Sequence, residues 1–263
     1  MSAAEEQLRA GDLAGCLADL QQEVRRAPAE PRHRVFLAQL LMVMGDWDRA
    51  AAQLEVLGSL DAGSLPMVQT YRSAIQCERL RGSVLRGERS PVVFGTPEPW
   101  LALLIQALAA LAAGNSAHAD DLRASAFEAA PTSAGTLNGV EFDWIADADS
   151  RLGPVLEVMF HGAYYWVPLH RVAAMAVEPP ADLRDLVWLP VQLTWTNGDQ
   201  VVGLVPTRYG GTEASTDDAL KLSRKTEWAA IGVDVFAGSG QRVFATNVEE
   251  VPLLSVRELT LRA

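Results

Sequence analysis

The chain has 263 residues and 49% hydrophobic content, enough to bury the core of one large domain or two ordinary ones. Its net charge of −11 argues against a nucleic-acid binder or a ligand of anionic lipid. Two cysteines, Cys16 and Cys77, both at apolar positions of helical patterns, make no disulfide framework or metal site.

The N-terminus, MSAAEEQLRAGD, lacks the basic-then-apolar order of a secretory leader. The longest apolar run, Leu101 to Ala113, is too short to span a bilayer and is interrupted by Gln106. These features lead us to expect a cytoplasmic protein with no membrane insertion.

The first half reads as paired helices. Gly11-Asp12-Leu13 recurs as Gly45-Asp46-Trp47, 34 residues later, and Cys16, Leu17 and Leu20 then align with Ala50, Ala51 and Leu54. A 34-residue period is that of tetratricopeptide-like (TPR-like) arrays, in which each helix pair buries its apolar stripe against the next. Helices are predicted from Asp12 to Arg26, Pro31 to Met44, Asp46 to Leu57 and Pro66 to Arg86. Two more run from Pro97 or Pro99 to Ala113 and from Asn115 or Ser116 to Ala129. Proline at first turns, glycine at ends and aspartate or asparagine at starts set these limits. The fourth helix and the stretch after it carry Arg72, Arg79, Arg81, Arg86 and Arg89 against only Glu78 and Glu88. That pattern fits a solvated face or a docking surface for an acidic or amphipathic helix.

Pro131-Thr-Ser-Ala-Gly135 marks a break in composition. It divides the chain into a helical domain, residues 1–134, and a β-rich domain, residues 136–263. Strands are predicted over Pro154–Phe160, Ala163–Leu169, Val172–Val177, Val187–Trp195, Gln200–Pro206, Gly232–Phe236 and Arg242–Thr246. Turns are expected at His161-Gly162, Asn197-Gly198 and Gly238-Ser-Gly240. One helix, from about Asp217 to Trp228, interrupts them behind a capped acidic first turn. The expected fold is α+β: a TPR-like helical part followed by a small barrel-like sheet with one helix.

Between Gly139 and Pro168 lie the acids Glu141, Asp143, Asp147 and Asp149, the lone Arg151 and six aromatics, among them Trp144, Tyr165 and Trp166. The spacing D-x-x-x-D-x-D lacks the glycine and terminal glutamate of a calcium loop. A helix start at Asp147 or Asp149, with Arg151 pairing an acid, accounts for these residues. A partner surface is a second reading, and a small-ligand or metal-binding enzyme built on this acid–aromatic cluster is a third. The four histidines are scattered, and no Ser-His-Asp, Cys-His or His-metal spacing appears. Neither a catalytic residue nor a cofactor is assigned.

The strings FDWIADADSRLGPVLEV (142–158), YYWVPL (164–169), LRDLVWLPVQL (183–193), LVPTRYGG (204–211) and DDALKLSRKTEW (217–228) resemble the ImpE/TagJ family of type VI secretion accessory proteins. The resemblance covers the second half in order, and the helical repeat of the first half agrees with it. It implies a non-enzymatic adaptor that binds the small sheath subunit TssB, with a link to the sheath-disassembling ATPase ClpV. Positions that match include Asp143, Trp144, Asp147, Asp149, Arg151, Tyr165, Trp166, Arg208 and Tyr209. With Arg72, Arg79 and Arg81 they form the candidate partner-binding set.

Overall fold

The computed structural model describes residues 2–262. The helices are α1 (Ala3–Ala10), α2 (Leu13–Arg26), α3 (Pro31–Met44), α4 (Trp47–Leu60) and α5 (Leu65–Leu85), then, after a two-residue strand β1 (Val92–Val93), α6 (Pro99–Ala112) and α7 (Ser116–Ala129). The recurring Gly-Asp pair is one physical device used twice. Gly11 and Gly45 take the left-handed conformation (φ +84° and +75°) and end α1 and α3. Asp12 and Asp46 then accept the backbone N–H of Gly15 and Arg49 and start α2 and α4. Gly114 (φ +77°) and Asn115 repeat it between α6 and α7. The first two junctions span two residues and the third spans three, so consecutive helices fold back and pack together. Helix α1 precedes the first predicted helix and is too short to display a period.

The second half comprises β2 (Gly135–Leu137), β3 (Val140–Phe142), β4 (Ile145–Asp147), β5 (Val155–Phe160), β6 (Ala163–Pro168), β7 (Val172–Val177), β8 (Trp188–Trp195) and β9 (Gln200–Pro206). Then come a single turn of helix, α8 (Asp218–Lys221), and β10 (Thr226–Gly232), β11 (Val235–Gly240), β12 (Val243–Thr246), β13 (Glu250–Pro252) and β14 (Glu258–Leu261). Nine strands make one sheet in the order β1-β6-β5-β9-β8-β7-β14-β2-β3; β13-β12-β4 and β10-β11 stand apart. Among the described residues no barrel closes: β1 and β3 are open edges. The fold is α+β.

Four local expectations are corrected. The helix expected over 217–228 lasts one turn, because Ser223 enters the left-handed region (φ +53°) and the Arg224 N–H closes back on Ala219. Thr226 to Trp228 then belong to β10, so the strand expected over 232–236 contains the hairpin turn, at Val233-Asp234. Gly238-Ser-Gly240 lies within β11 rather than in a turn. Gly238 is there because the Tyr209 ring crosses it, and a Cβ would meet that ring at 2.2 Å. The helix start expected at Asp147 or Asp149 is likewise absent, since Asp147 ends β4.

The apolar interior has two layers, and β5 lies between them. Val155 and Met159 face the helices with Tyr164 and Trp166 of β6, while Leu156, Val158 and Phe160 face the opposite side. This period-two alternation buries β5 on both faces. Helix-side core residues therefore come from both halves of the chain.

Candidate docking site

On the helix-facing side of β5 the residue between Val155 and Met159 is Glu157, fully buried. Arg81 of α5 reaches it through a fork, Nε to Oε1 at 2.9 Å and Nη2 to Oε2 at 3.0 Å. The Tyr164 hydroxyl and Arg242 Nη2 also donate to it. Arg81 Nη1 donates to Glu78 Oε1 at 2.8 Å, and Trp188 Nε1 donates to the other Glu78 oxygen at 2.9 Å. Trp166 Nε1 donates to the Tyr164 hydroxyl at 2.7 Å. Burial works against the Glu157 charge, but Arg81 and Arg242 outweigh it and hold the carboxyl at about 2. Burial likewise opposes the Arg81 charge, and Glu157 with Glu78 keeps it well above the ordinary arginine value. Such a network is stable only while every member has its partner.

Arg208 performs a related task without a counter-ion. It donates to the carbonyls of Val43 (2.6 Å), Lys221 (2.7 Å) and Met42 (3.1 Å), the first and last being in the final turn of α3. The cation thereby satisfies the open carbonyl end of a helix. Burial lowers its pKa to about 10.

The acid cluster divides. Asp149 accepts from Arg151 Nε (2.9 Å) and Nη2 (2.5 Å) and from the Gly238 N–H (2.9 Å). Asp147 accepts the Asp149 N–H at 2.8 Å, while its other oxygen lies 3.2 Å from Arg242 Nη1 without hydrogen-bond alignment. Burial pushes the Asp147 carboxyl up to about 7 despite Arg242. The Tyr209 hydroxyl accepts the Val243 N–H at 3.0 Å. Of the candidate set, Arg81, Asp147, Asp149, Trp166, Arg208 and Tyr209 are thus buried, and Arg151 and Tyr165 half-buried.

Arg72, Arg79, Asp143 and Trp144 are exposed. Arg79 pairs with Asp48 at 2.5 Å, and Asp143 accepts from the Asn247 side chain at 3.0 Å. Trp144 lies with Phe127 at a cavity of about 340 Å³. Among the described residues no three His, Cys, Asp or Glu side chains converge to hold a metal.

A groove of about 590 Å³ lies where the first half of α5 passes the β5–β6 turn and β9. Met67, Tyr71, Ala74 and Cys77 line one wall; Met159, Phe160, Val202 and Leu204 line the other. Gln69, Thr70, Ser73 and His161 supply polar groups, and Arg184, 4.6 Å over the Tyr71 ring, joins the lining beside Tyr71. Val202 is 74% exposed. At 100° per residue, Arg72 and Arg79 fall on the opposite side of α5 from Thr70, Ser73 and Cys77. The structure therefore separates the arginines from the groove that shares their helix. The buried network also adds Glu78, Glu157 and Arg242, which sequence reasoning missed. Glu157 was legible as a lone acid inside the apolar run VLEVMF.

The ImpE protein family profile matches residues 139–260. Over 256 residues the chain is 51% identical to the type VI secretion system accessory component TagJ of Pseudomonas aeruginosa, covering 97% of this chain and 90% of that one. A crystal structure of a Vibrio parahaemolyticus protein superposes with a TM-score of 0.90 over 99% of this chain and 97% of that one, at 23% identity, and shares the fold.

Proposed function

The chain belongs to the ImpE/TagJ family, and from that premise we propose that it serves type VI secretion as a non-enzymatic adaptor. It holds an amphipathic segment of the small sheath subunit TssB in the α5 groove and so links the sheath to disassembly by ClpV. The helical layer acts as a TPR-like array over residues 1–134, and residues 136–263 form the β-rich unit that completes the groove. The observation that carries this reading is the groove itself: an open apolar trench with polar lips, built jointly by a helix and a sheet. Apolar surface left in contact with water marks interaction sites, and a helix laid in a groove is a recurrent way of covering it.

Of the acid cluster, Asp147 and Asp149 are engaged by backbone N–H groups or Arg151 in the interior, which supports a structural role for those two. The experiment is a calorimetric titration of purified sheath small subunit into the whole chain, followed by addition of ClpV. Saturable binding is the expected result, and its absence removes the TssB assignment. A melting-temperature rise with a divalent metal or nucleotide would instead favour a ligand-binding role.

A further inference from the structure

The β10–β11 hairpin belongs to neither larger sheet, and its two edges differ. Along β11 the outward N–H groups are all taken. The Phe236 N–H donates to Ser150 Oγ and its carbonyl accepts the Ser150 N–H. The Gly238 N–H donates to Asp149, and the Gly240 N–H to Thr212. Phe236, Gly238 and Gly240 thus face away from β10. The bonded pairs of the hairpin are then Lys225/Gln241, Glu227/Ser239 and Ala229/Ala237. On β10 the N–H and C=O groups of Thr226, Trp228 and Ala230 consequently point outward, and among the described residues no strand pairs with that side. Residues 227–230 are all exposed. Natural edges are usually blunted by proline, by a bulge or by shortness. Here seven residues run without proline, and the irregularity falls only after Ala230.

We propose that the free edge of β10 pairs antiparallel with β10 of a second copy of this chain, about a two-fold axis at Ala229. In that register Trp228 exchanges both backbone hydrogen bonds with Ala230 of the other copy, and Ala230 with its Trp228, giving four bonds. The large indole of each copy then lies beside a methyl group. At the axis two alanines face each other at the close, non-bonded position, where small side chains fit. Charge selects the antiparallel direction. Lys225 at the strand start is already paired with Asp217 and Glu227, but Arg224, which donates to the Leu8 and Arg9 carbonyls, keeps its positive charge. Asp234 lies just past the strand end, so the two-fold brings the basic start of each strand towards the acidic end of the other. Parallel pairing would set like charges together. A two-fold contact of this kind is self-complementary and closed, so it stops at two chains. This surface is separate from the α5 groove and stands or falls without it.

Sedimentation velocity on the whole chain over a range of concentrations reads the mass directly. The expected result is a rise from one chain towards two. Ala230→Pro deletes an outward N–H that the hairpin itself does not use, and Ala229→Lys sets two ammonium groups together at the axis. Each should weaken association about tenfold or more while the circular dichroism spectrum is kept. Ala229→Cys should form an intermolecular disulfide on mild oxidation, because facing residues at that position lie within bridging distance, and Cys16 and Cys77 are buried. A single-chain mass at every concentration overturns the proposal. So does a dimer that Ala230→Pro and Ala229→Lys both leave intact.

Discussion

Helix α5 behaves differently along its length. Its second half carries charge into the interior: Glu78 and Arg81 are buried against Trp188, Tyr164 and Glu157. Its first half lines a trench, where Tyr71 is buried at the floor, Met67 is half-buried and Val202 is exposed across from them. The usual arrangement is charge outside and apolar surface inside. Where charge is buried and fully partnered, it fixes one way for the helix to sit on the sheet. Where apolar surface is left open beside that fixed contact, it is available to another molecule. The difference separates a scaffold from a docking surface on one element.

The sharpest way to break the comparison is to neutralise the scaffold. Glu157→Gln leaves Arg81 and Arg242 facing each other in the interior with their shared counter-ion gone, and should cost about 3–5 kcal/mol in urea unfolding. A loss below about 1 kcal/mol would show that the network does not set the packing. Arg208→Met should cost about 2–3 kcal/mol, because three carbonyls lose their donor at once.

Stability should also depend on pH in two windows of opposite sense. The Asp147 carboxyl is raised from 3.8 to about 7, so between those values the folded chain holds a proton that the unfolded chain has released. Stability therefore falls as pH rises through that range. Glu157 is lowered from 4.5 to about 2, so its contribution is present above 4.5 and is lost as pH falls towards 2. Asp147→Asn should flatten the first window and leave the second, as read by unfolding midpoints across pH.

On the open half of α5 the pattern inverts. Thr70→Arg and Val202→Glu alter exposed lining residues, so each should shift stability by no more than about 0.5 kcal/mol. Both should weaken capture of the sheath small subunit about tenfold or more, as expected where a few central contacts dominate. The smallest effect is expected from Arg72→Glu and Arg79→Glu, which lie on the far side of the helix. Unchanged affinity in a titration would confine docking to the groove side; weakened affinity would extend the site around α5.

The sequence carried the helices well, because their limits rest on local chemistry. Gly-Asp at two junctions and Gly-Asn at a third both end one helix and start the next. It carried the β5–β6 and β8–β9 hairpins through His161-Gly162 and Asn197-Gly198 for the same reason. Residues 217–240 were misread because an acidic first turn is a true start signal that says nothing of length; Ser223 and Gly238 act through conformation and a crossing ring. The candidate residues illustrate a further limit. Arg81, Asp147 and Arg208 have the composition of a docking surface, yet their partners Glu157, Arg242 and the α3 carbonyls lie far away in sequence. Only the fold shows that these charges are already occupied. The groove was invisible for the complementary reason: Met67 and Tyr71 occupy positions that a helical pattern assigns to a core.

The most direct test of this account is amide hydrogen exchange of the whole chain with and without the purified sheath small subunit. The account predicts added protection in residues 67–77 of α5, at the His161-Gly162 turn and along residues 200–204 of β9. Protection confined to Asp143–Arg151 and the Trp144 cavity, with residues 67–77 unchanged, would contradict it.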